Sequence, residues 1–329
     1  MKTAFLFPGQ GAQQVGMGKD LHEAFPAARR VFDEAEAATD LPLRRLCFEG
    51  PEEELSRTDI CQPAVFTVSA AALAVLDELS GPDQLEAIRP GYVAGLSLGE
   101  YTALYAADAV DLQPAVRLVA RRGELMQEAA TAVPSGMVSV IGLDEPRARR
   151  LARAASRGQS LACANFNCPG QVVLSGTLDA CGRVEKLAAA FGASGAVPLK
   201  VAGAFHSEIM APAAEKLAEA LKDVEFRDPK VPVVANVDGQ PYTRADEIPA
   251  RLLAQLTSAV RWQQSMEFLL AEGTESFYEI GPGRVLAGLM RRIRRRAELT
   301  SLNSRPAVEK LLQYAGVARE TRIGEVTHG

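Results

Sequence analysis

The chain has 329 residues, enough for a large hydrophobic core, and its 47% hydrophobic and 23% charged residues are typical of globular proteins. The formal net charge of −5 argues against a protein that coats nucleic acid, and no run approaches the ~20 consecutive apolar residues of a membrane-spanning helix. The N-terminal apolar run is too short for a signal peptide, and five scattered cysteines predict reduced thiols in the cytoplasm. We expect no metal, because Cys163 and Cys168 lack a second ligand pair, and no cofactor.

Strands and helices alternate along most of the chain. An alanine-rich helical stretch covers Gln62–Leu79, and a second helix is predicted to begin near Leu98. Short buried strands are predicted at Lys2–Phe7, Pro90–Gly95, Val231–Asn236 and Ser276–Ile280. This alternation predicts an α/β fold in which helices cover both faces of a parallel sheet.

The middle of the chain has a different order of elements, βαββαβ, which is typical of a ferredoxin-like domain. The six predicted elements are Gly136–Gly142, Glu145–Arg157, Leu161–Asn165, Gln171–Ser175, Thr177–Phe191 and Gly195–Val201. We therefore predict a small domain over residues 132–203, inserted into a large α/β domain formed by residues 1–131 and 204–329.

A candidate nucleophile lies in Gly95-Leu96-Ser97-Leu98-Gly99. The pattern G-x-S-x-G between a strand and a helix is typical of a nucleophile elbow, as in the α/β hydrolases, and it presents the serine hydroxyl above the sheet. The backbone N–H of Leu98 would then lie beside a developing oxyanion at the helix N-terminus. The alternative is an ordinary N-cap serine.

A serine needs a base, and the chain has only three histidines. His22 lies in an early polar helix and His328 in the last two residues. His206 follows the last predicted strand of the small domain, where the chain returns to the large one, and domain junctions often form active-site clefts. His206 is therefore the candidate base, although a histidine at a strand end is often structural.

An arginine lies on the apolar face of the predicted helix Leu112–Ala130. Arg122 follows Leu118 and Val119 by four and three residues, so all three share one face. A guanidinium that points inward needs an anionic partner, because burying an unpaired charge is costly. Periodicity leaves two alternatives for that partner, a structural carboxylate or the carboxylate of a substrate.

Several ordered motifs resemble the malonyl-CoA:acyl carrier protein transacylases of fatty-acid synthesis and the related acyltransferase domains of polyketide synthases. The resemblance covers nearly the whole chain. The motifs are Phe7-Pro8-Gly9-Gln10-Gly11-Ala12-Gln13, Gly95–Leu104, Arg121-Arg122-Gly123, Asn165–Val173, Gly203–Ser207 and Glu279-Ile280-Gly281-Pro282-Gly283.

The resemblance implies the roles of individual residues. It makes Ser97 the nucleophile, His206 the base and Arg122 the residue that binds the malonyl carboxylate. It implies an oxyanion hole formed by the backbone N–H groups of Gln10 and Leu98. The implied activity is ping-pong transfer of a malonyl group from malonyl-CoA to the phosphopantetheine thiol of an acyl carrier protein, without a cofactor.

Further residues follow from the same resemblance. The backbone carbonyl of Gln255 is implied to orient the histidine, and Gln62 is implied to line the pocket. Phe205 is like the bulky residue of malonyl-selective members. Leu96 is a departure, because many members have histidine before the nucleophile; we expect the chemistry to survive. The sequence does not distinguish a fatty-acid from a polyketide pathway.

Two other functions compete with transfer. A malonyl or acyl thioester hydrolase on the same scaffold is the alternative, since nucleophile elbows are widespread in esterases. A general esterase is disfavoured because neutral acyl chains would leave Arg122 unpaired. A carrier-binding module without catalytic activity is disfavoured by the joint presence of Ser97, His206 and Arg122.

The end of the chain carries a cluster of positive charges on a predicted late helix. We call it the arginine cluster, and it consists of Arg291, Arg292, Arg294, Arg295 and Arg296. It is either a solvated helix end or a contact for an acidic carrier protein. The polar tail from about Arg319 onward is expected to be disordered.

Overall fold

The computed structural model describes residues 2–80 and 88–313, and these form two sheets surrounded by helices. The strands are β1 (Lys2–Phe7), β2 (Tyr92–Gly95), β3 (Ser135–Ile141), β4 (Leu161–Cys168), β5 (Gln171–Thr177), β6 (Gly195–Pro198), β7 (Val233–Val234), β8 (Pro241–Tyr242), β9 (Thr274–Ile280) and β10 (Glu298–Leu302).

Helices connect most of these strands. They are α1 (Lys19–Ala24), α2 (Pro26–Thr39), α3 (Leu43–Glu49), α4 (Glu52–Leu55), α5 (Thr58–Leu79), α6 (Gly99–Ala106), α7 (Leu112–Ala132), α8 (Glu145–Ser156), α9 (Leu178–Leu187), α10 (Ala211–Lys222), α11 (Ile248–Thr257), α12 (Trp262–Ala271) and α13 (Val285–Ile293). Short 3-10 turns lie at Ala188–Phe191, Glu208–Met210 and Ala245–Glu247, and residues 305–313 are helical.

The large sheet has six strands in the order β10-β9-β1-β2-β7-β8, and all but β8 are parallel to their neighbours. Side chains alternate across β1, so that Phe5 and Phe7 join the core on one face while Ala4 and Leu6 join the core on the other. Both faces are therefore buried under helices, which explains the continuous apolar run of this strand.

The small sheet has four antiparallel strands in the order β4-β5-β3-β6. Helices α8 and α9 pack on one face over a separate apolar core that includes Val140, Leu151 and Val184. This order is that of a ferredoxin-like fold. All four strands lie between residues 135 and 198, inside the range 132–203 that we propose for the inserted domain.

Helix α5 is long and apolar enough to cross a membrane by length and composition, but 83% of its most apolar 18-residue stretch is buried inside the protein. It includes Pro63, which removes one backbone hydrogen bond of the helix, but α5 continues beyond it to Leu79. A helix buried on nearly all sides needs an apolar surface all round, and α5 is accordingly the central core helix of the large domain.

Several element bounds differ from the sequence-based predictions. The strand predicted at Val231–Asn236 is only Val233–Val234, and the last strand of the small sheet ends at Pro198 rather than Val201. His206 therefore lies in a turn eight residues after this strand rather than at a strand end. The predicted tail from Arg319 and His328 lie outside the described residues.

The late helix is also shorter than predicted. Helix α13 ends at Ile293, so Arg291 and Arg292 occupy its last turn while Arg294, Arg295 and Arg296 follow it. Ile293 is partly buried against an apolar core, whereas the three arginines that follow it are exposed. The five charges therefore do not share one helix.

Candidate active site

Ser97 lies in a sharp turn between β2 and α6, with a φ of 53°. A Cβ atom on Gly95 would lie 1.9 Å from the backbone of Gly99, and one on Gly99 would lie 2.1 Å from the carbonyl oxygen of Phe7. Only glycine permits this approach of strand and helix. The packing holds Ser97 in a left-handed conformation that a serine rarely adopts, which is the geometry of a nucleophile elbow.

His206 also has a left-handed backbone, with a φ of 57°. Its Nε2 lies 2.8 Å from Oγ of Ser97, and its Nδ1 lies 2.8 Å from the carbonyl oxygen of Gln255. A carbonyl oxygen only accepts, so the ring proton is on Nδ1 and Nε2 is free to accept the serine proton. Burial and the neighbouring charge of Arg122 lower the pKa of His206 to about 4, so the imidazole is neutral near pH 7.

Arg122 points inward from α7, as its periodicity predicts, and is 1% exposed. Its Nη2 donates two hydrogen bonds, to Oγ of Ser97 at 3.1 Å and to Oε1 of Gln255 at 2.9 Å. Its Nη1 donates to Oε1 of Gln62. The guanidinium carbon lies 5.1 Å from the centre of the Tyr101 ring. Within the described residues these hydrogen-bond acceptors are neutral, and Nε has no hydrogen-bond partner.

These side chains meet at a cavity of about 210 Å³ between the two sheets. Its lining includes seven of the residues singled out in the sequence, namely Gln10, Gln62, Ser97, Leu98, Arg122, Phe205 and His206. Gln255 lies behind this surface and reaches the site through its hydrogen bonds. The sequence reasoning did not assign roles to other lining residues, which include Met126, Met137, Asn165, Asn167, Gln171, Leu199 and Val285.

The arginine cluster lies close to the same cavity. All five side chains are exposed. Arg292 donates from Nη1 to Oε1 of Gln171 at 3.0 Å and from Nη2 to the carbonyl oxygen of Pro169 at 3.4 Å. Because Gln171 lines the cavity, Arg292 contacts one of the lining residues, and Leu289 of α13 lines it as well.

The chain matches the family model described as "Acyl transferase domain" over residues 4–312. It is 44% identical over 313 residues to the malonyl CoA-acyl carrier protein transacylase of Bacillus subtilis, covering 95% of this chain and 96% of the relative. The chain belongs to this transacylase family. Another family member, from Escherichia coli K12, is 42% identical over 310 residues, covering 94% of this chain and 98% of that relative.

Solved structures of transacylases agree with the fold. An acyl carrier protein S-malonyltransferase from Bartonella henselae superposes with a TM-score of 0.91 at 38% identity, covering 96% of this chain and 100% of that one. A malonyl-transacylase in complex with a type II polyketide synthase acyl carrier protein gives 0.89 at 41% identity, covering 95% and 100%. The predicted α/β fold, a hydrolase-like parallel-sheet domain with an inserted ferredoxin-like domain, is confirmed.

Two residues of this candidate site were missed by the sequence reasoning. The side chain of Asn236 bridges the elbow, because its Oδ1 accepts from the N–H of Ser97 at 2.6 Å and its Nδ2 donates to the carbonyl oxygen of Gly95 at 2.7 Å. Glu100 lies in the first turn of α6 and is 1% exposed. Two sequence features could have indicated them. Asn236 is a polar residue that follows a strand neighbouring β2, and Glu100 is a charged residue inside an otherwise apolar helix.

Proposed function

We propose that this protein transfers a malonyl group from malonyl-CoA to the phosphopantetheine thiol of an acyl carrier protein through a malonyl ester on Ser97. One observation carries the proposal: the same hydroxyl oxygen lies 2.8 Å from the imidazole of His206 and 3.1 Å from the guanidinium of Arg122. A base and a cation at one nucleophile suit an acyl group that itself carries a carboxylate. The names of the curated relatives support the same activity.

The first half-reaction is acylation. Nε2 of His206 accepts the hydroxyl proton while Oγ of Ser97 attacks the thioester carbonyl, whose π electrons move to the oxygen. When the tetrahedral intermediate collapses, the carbon–sulfur bond breaks, and the departing thiolate of coenzyme A takes the proton from His206. The carbonyl oxygen of Gln255 holds the ring in one tautomer and supports the imidazolium that forms transiently.

The oxyanion is bound by backbone N–H groups in this proposal. Leu98 directly precedes α6, so its N–H lies at the N-terminus of a helix, where the dipole favours negative charge. Gln10 lines the same cavity from the glycine-rich loop after β1. Two such donors stabilise the charge that develops in the transition state, which is usually a large part of acyl-transfer catalysis.

The malonyl carboxylate is bound by Arg122. Nε has no hydrogen-bond partner within the described residues, and Nη2 lies on the same edge of the guanidinium. The two nitrogens can donate together to the two oxygens of a carboxylate when Nη2 releases its contact with Ser97 or Gln255. Gln62 holds the other nitrogen and so fixes the plane of the guanidinium. Phe205, which is 5% exposed, limits the space for a branch on the acyl group and favours malonyl over methylmalonyl.

The second half-reaction reverses the first with a different thiol. The phosphopantetheine thiol of the carrier loses its proton to His206 and attacks the ester carbon, and the ester bond to Ser97 breaks as Oγ takes the proton back. Hydrolysis would use water in the same position. The curated relatives are named transacylases, which favours transfer over a hydrolase.

We also propose that the arginine cluster contacts the carrier, and that the reaction takes place in the cytoplasm. Acyl carrier proteins are generally acidic, so exposed positive charge beside the cavity would steer their approach. The five cysteines are free and buried, which is consistent with a reducing compartment.

The test is intact-mass analysis after brief mixing with malonyl-CoA. The wild-type protein is expected to gain one malonyl group and to lose it when phosphopantetheinylated carrier protein is added. Ser97→Ala should gain none, whereas the matched control Ser56→Ala, at an exposed serine, should behave like the wild type. Labelling that persists in Ser97→Ala would refute the mechanism, and rapid loss of the malonyl group in buffer alone would favour the hydrolase.

A further inference from the structure

A buried carboxyl group that the mechanism does not use lies directly behind the nucleophile. Glu100 is 1% exposed, and three donors converge on it. Its Oε2 accepts from the backbone N–H of Asn236 at 3.1 Å and from Nε2 of Gln255 at 2.7 Å, and its Oε1 accepts from the hydroxyl of Tyr242 at 3.2 Å. These partners come from three separate segments of the chain, so the carboxyl group ties them together.

Two of the three partners are themselves bonded to the reacting groups. Asn236 accepts the N–H of Ser97 at 2.6 Å. Gln255 donates to the carbonyl oxygen of Ser97 at 3.0 Å, and its own carbonyl oxygen lies 2.8 Å from Nδ1 of His206. Its Oε1 also accepts from Arg122 at 2.9 Å. The backbone of the nucleophile, the ring of the base and the guanidinium are therefore all positioned through neighbours of Glu100.

We propose that Glu100 is a positioning residue for acyl transfer, acting by accepting hydrogen bonds from Asn236 and Gln255 so that Ser97 and His206 stay aligned. This inference rests on the proposed function, because alignment is measured through formation of the ester on Ser97. It assigns no contact with substrate to Glu100. Displacing a reacting group by about 1 Å can cost on the order of 100-fold in rate, so a residue behind the site can have a large effect.

The role depends on where the acceptor oxygens lie and not on a negative charge. Burial raises the pKa of Glu100 to about 7, against the hydrogen bonds from Gln255, Asn236 and Tyr242 that lower it. In either protonation state Oε2 still accepts from Asn236 and Gln255, because a protonated Oε1 donates to the oxygen of Tyr242. Glutamine at this position preserves the same pattern, with its carbonyl oxygen in place of Oε2 and its amide group directed at Tyr242.

Because glutamine can form the same hydrogen bonds as glutamate here, two variants of Glu100 form a matched pair. Glu100→Gln removes the charge and keeps the acceptor in place, whereas Glu100→Asp keeps the charge and withdraws the acceptor by one methylene. We expect Glu100→Gln to form malonyl-Ser97 within about threefold of the wild-type rate. We expect Glu100→Asp to lose at least about tenfold in kcat while KM for malonyl-CoA changes by less than about threefold, since the loss is in alignment.

A double-mutant cycle separates positioning from a general loss of structure. If Glu100 acts through the Ser97–His206 pair, Glu100→Asp should cost less than about threefold in the His206→Ala background, because the alignment that it supports is already lost. A purely structural role would reduce the folded fraction in both backgrounds and leave the rate per folded molecule unchanged. Circular dichroism and thermal unfolding of each variant give the folded fraction, and rates are compared per folded molecule.

The possible results decide between the claims. Equal losses in Glu100→Gln and Glu100→Asp, or an inactive Glu100→Gln beside an active Glu100→Asp, would overturn the positioning role. Additive losses in the His206→Ala background would also overturn it. Failure of the wild-type protein to form malonyl-Ser97 would refute the proposed function instead, and that measurement is made first.

Discussion

Two regions of this molecule use the same side chain in opposite ways. Arg122 is 1% exposed, bonded to neutral groups and 3.1 Å from the candidate nucleophile. The arginines of the arginine cluster are exposed, and one of them, Arg292, contacts Gln171 in the lining of the cavity. A buried cation interacts strongly with any anion that reaches it, whereas exposed charges are screened over ~8 Å in physiological salt. The buried region should therefore control chemistry and the exposed region only the rate of encounter.

The largest expected effect lies in the buried region but not at the arginine. His206→Ala removes the group that accepts the proton of Ser97, and acylation should slow by roughly two to four orders of magnitude, the range for a positioned general base. Rapid-quench measurement of malonyl-Ser97 would show it. His22→Asn is the matched control, since this ring packs on Phe32 and Phe48 and is not among the residues that line the cavity. Activity within about threefold of wild type in a folded His206→Ala protein would show that the base is misassigned.

Arg122→Ala sharpens the comparison directly. A charge-assisted contact of about 1.5–3 kcal/mol is lost, so malonyl transfer should fall at least ten- to a hundredfold, while acetyl transfer should fall less or rise. The neighbouring Arg121→Ala should change neither, because Arg121 is exposed and paired with Glu124. Steady-state kinetics with both acyl donors give the result. Equal losses for malonyl and acetyl would make Arg122 a structural residue.

The pH dependence tests whether the charge of Arg122 acts on the base. His206 must be neutral to accept a proton, so kcat/KM is lost as the pH falls through its pKa of about 4. In Arg122→Ala the pH at which kcat/KM is lost, the acid limb of the profile, should rise, because the charge that lowers the pKa of His206 is gone. It should stay below the usual 6.5, because burial, the larger cause of the lowered pKa, remains. The profile is best measured with acetyl-CoA, whose acyl group does not titrate. An acid limb that does not move would contradict the electrostatic coupling.

The smallest effect is expected in the exposed region. Reversing two charges, Arg291→Glu with Arg295→Glu, should slow transfer to the carrier several-fold at low salt, and the difference should shrink at high salt. Formation of malonyl-Ser97 should stay within about twofold. Arg292 is left unchanged because it bonds to Gln171 and Pro169.

The control for this experiment makes the same change in net charge elsewhere. Arg30→Glu with Arg244→Glu reverses two side chains that are 65% and 68% exposed, on other parts of the surface. Stopped-flow or rapid-quench transfer to the carrier over a range of salt concentrations compares the two double variants. If both double variants slow transfer to the carrier equally, the effect comes from net charge alone, and the arginine cluster is a solvated surface.

Much of this architecture is predictable from the sequence because its signals are local. Turn residues and apolar periodicity predict the order of strands and helices, and G-x-S-x-G between a strand and a helix predicts the elbow that Gly95 and Gly99 require. The face of α7 that carries Arg122 follows from spacing alone. Element ends are less predictable. Helix α13 stops at Ile293, within the run of arginines, although arginine itself is compatible with a helix.

Only the tertiary structure determined which distant residues contact one another. Ser97 and His206 are 109 positions apart, and their 2.8 Å contact depends on how the small sheet is joined to the large one. The network of Glu100, Asn236 and Gln255 links positions up to 155 residues apart. Local patterns mark Glu100 and Asn236 only as polar residues at unusual positions and do not identify their partners, because a buried hydrogen bond depends on the distance and direction between segments that only the folded chain brings together.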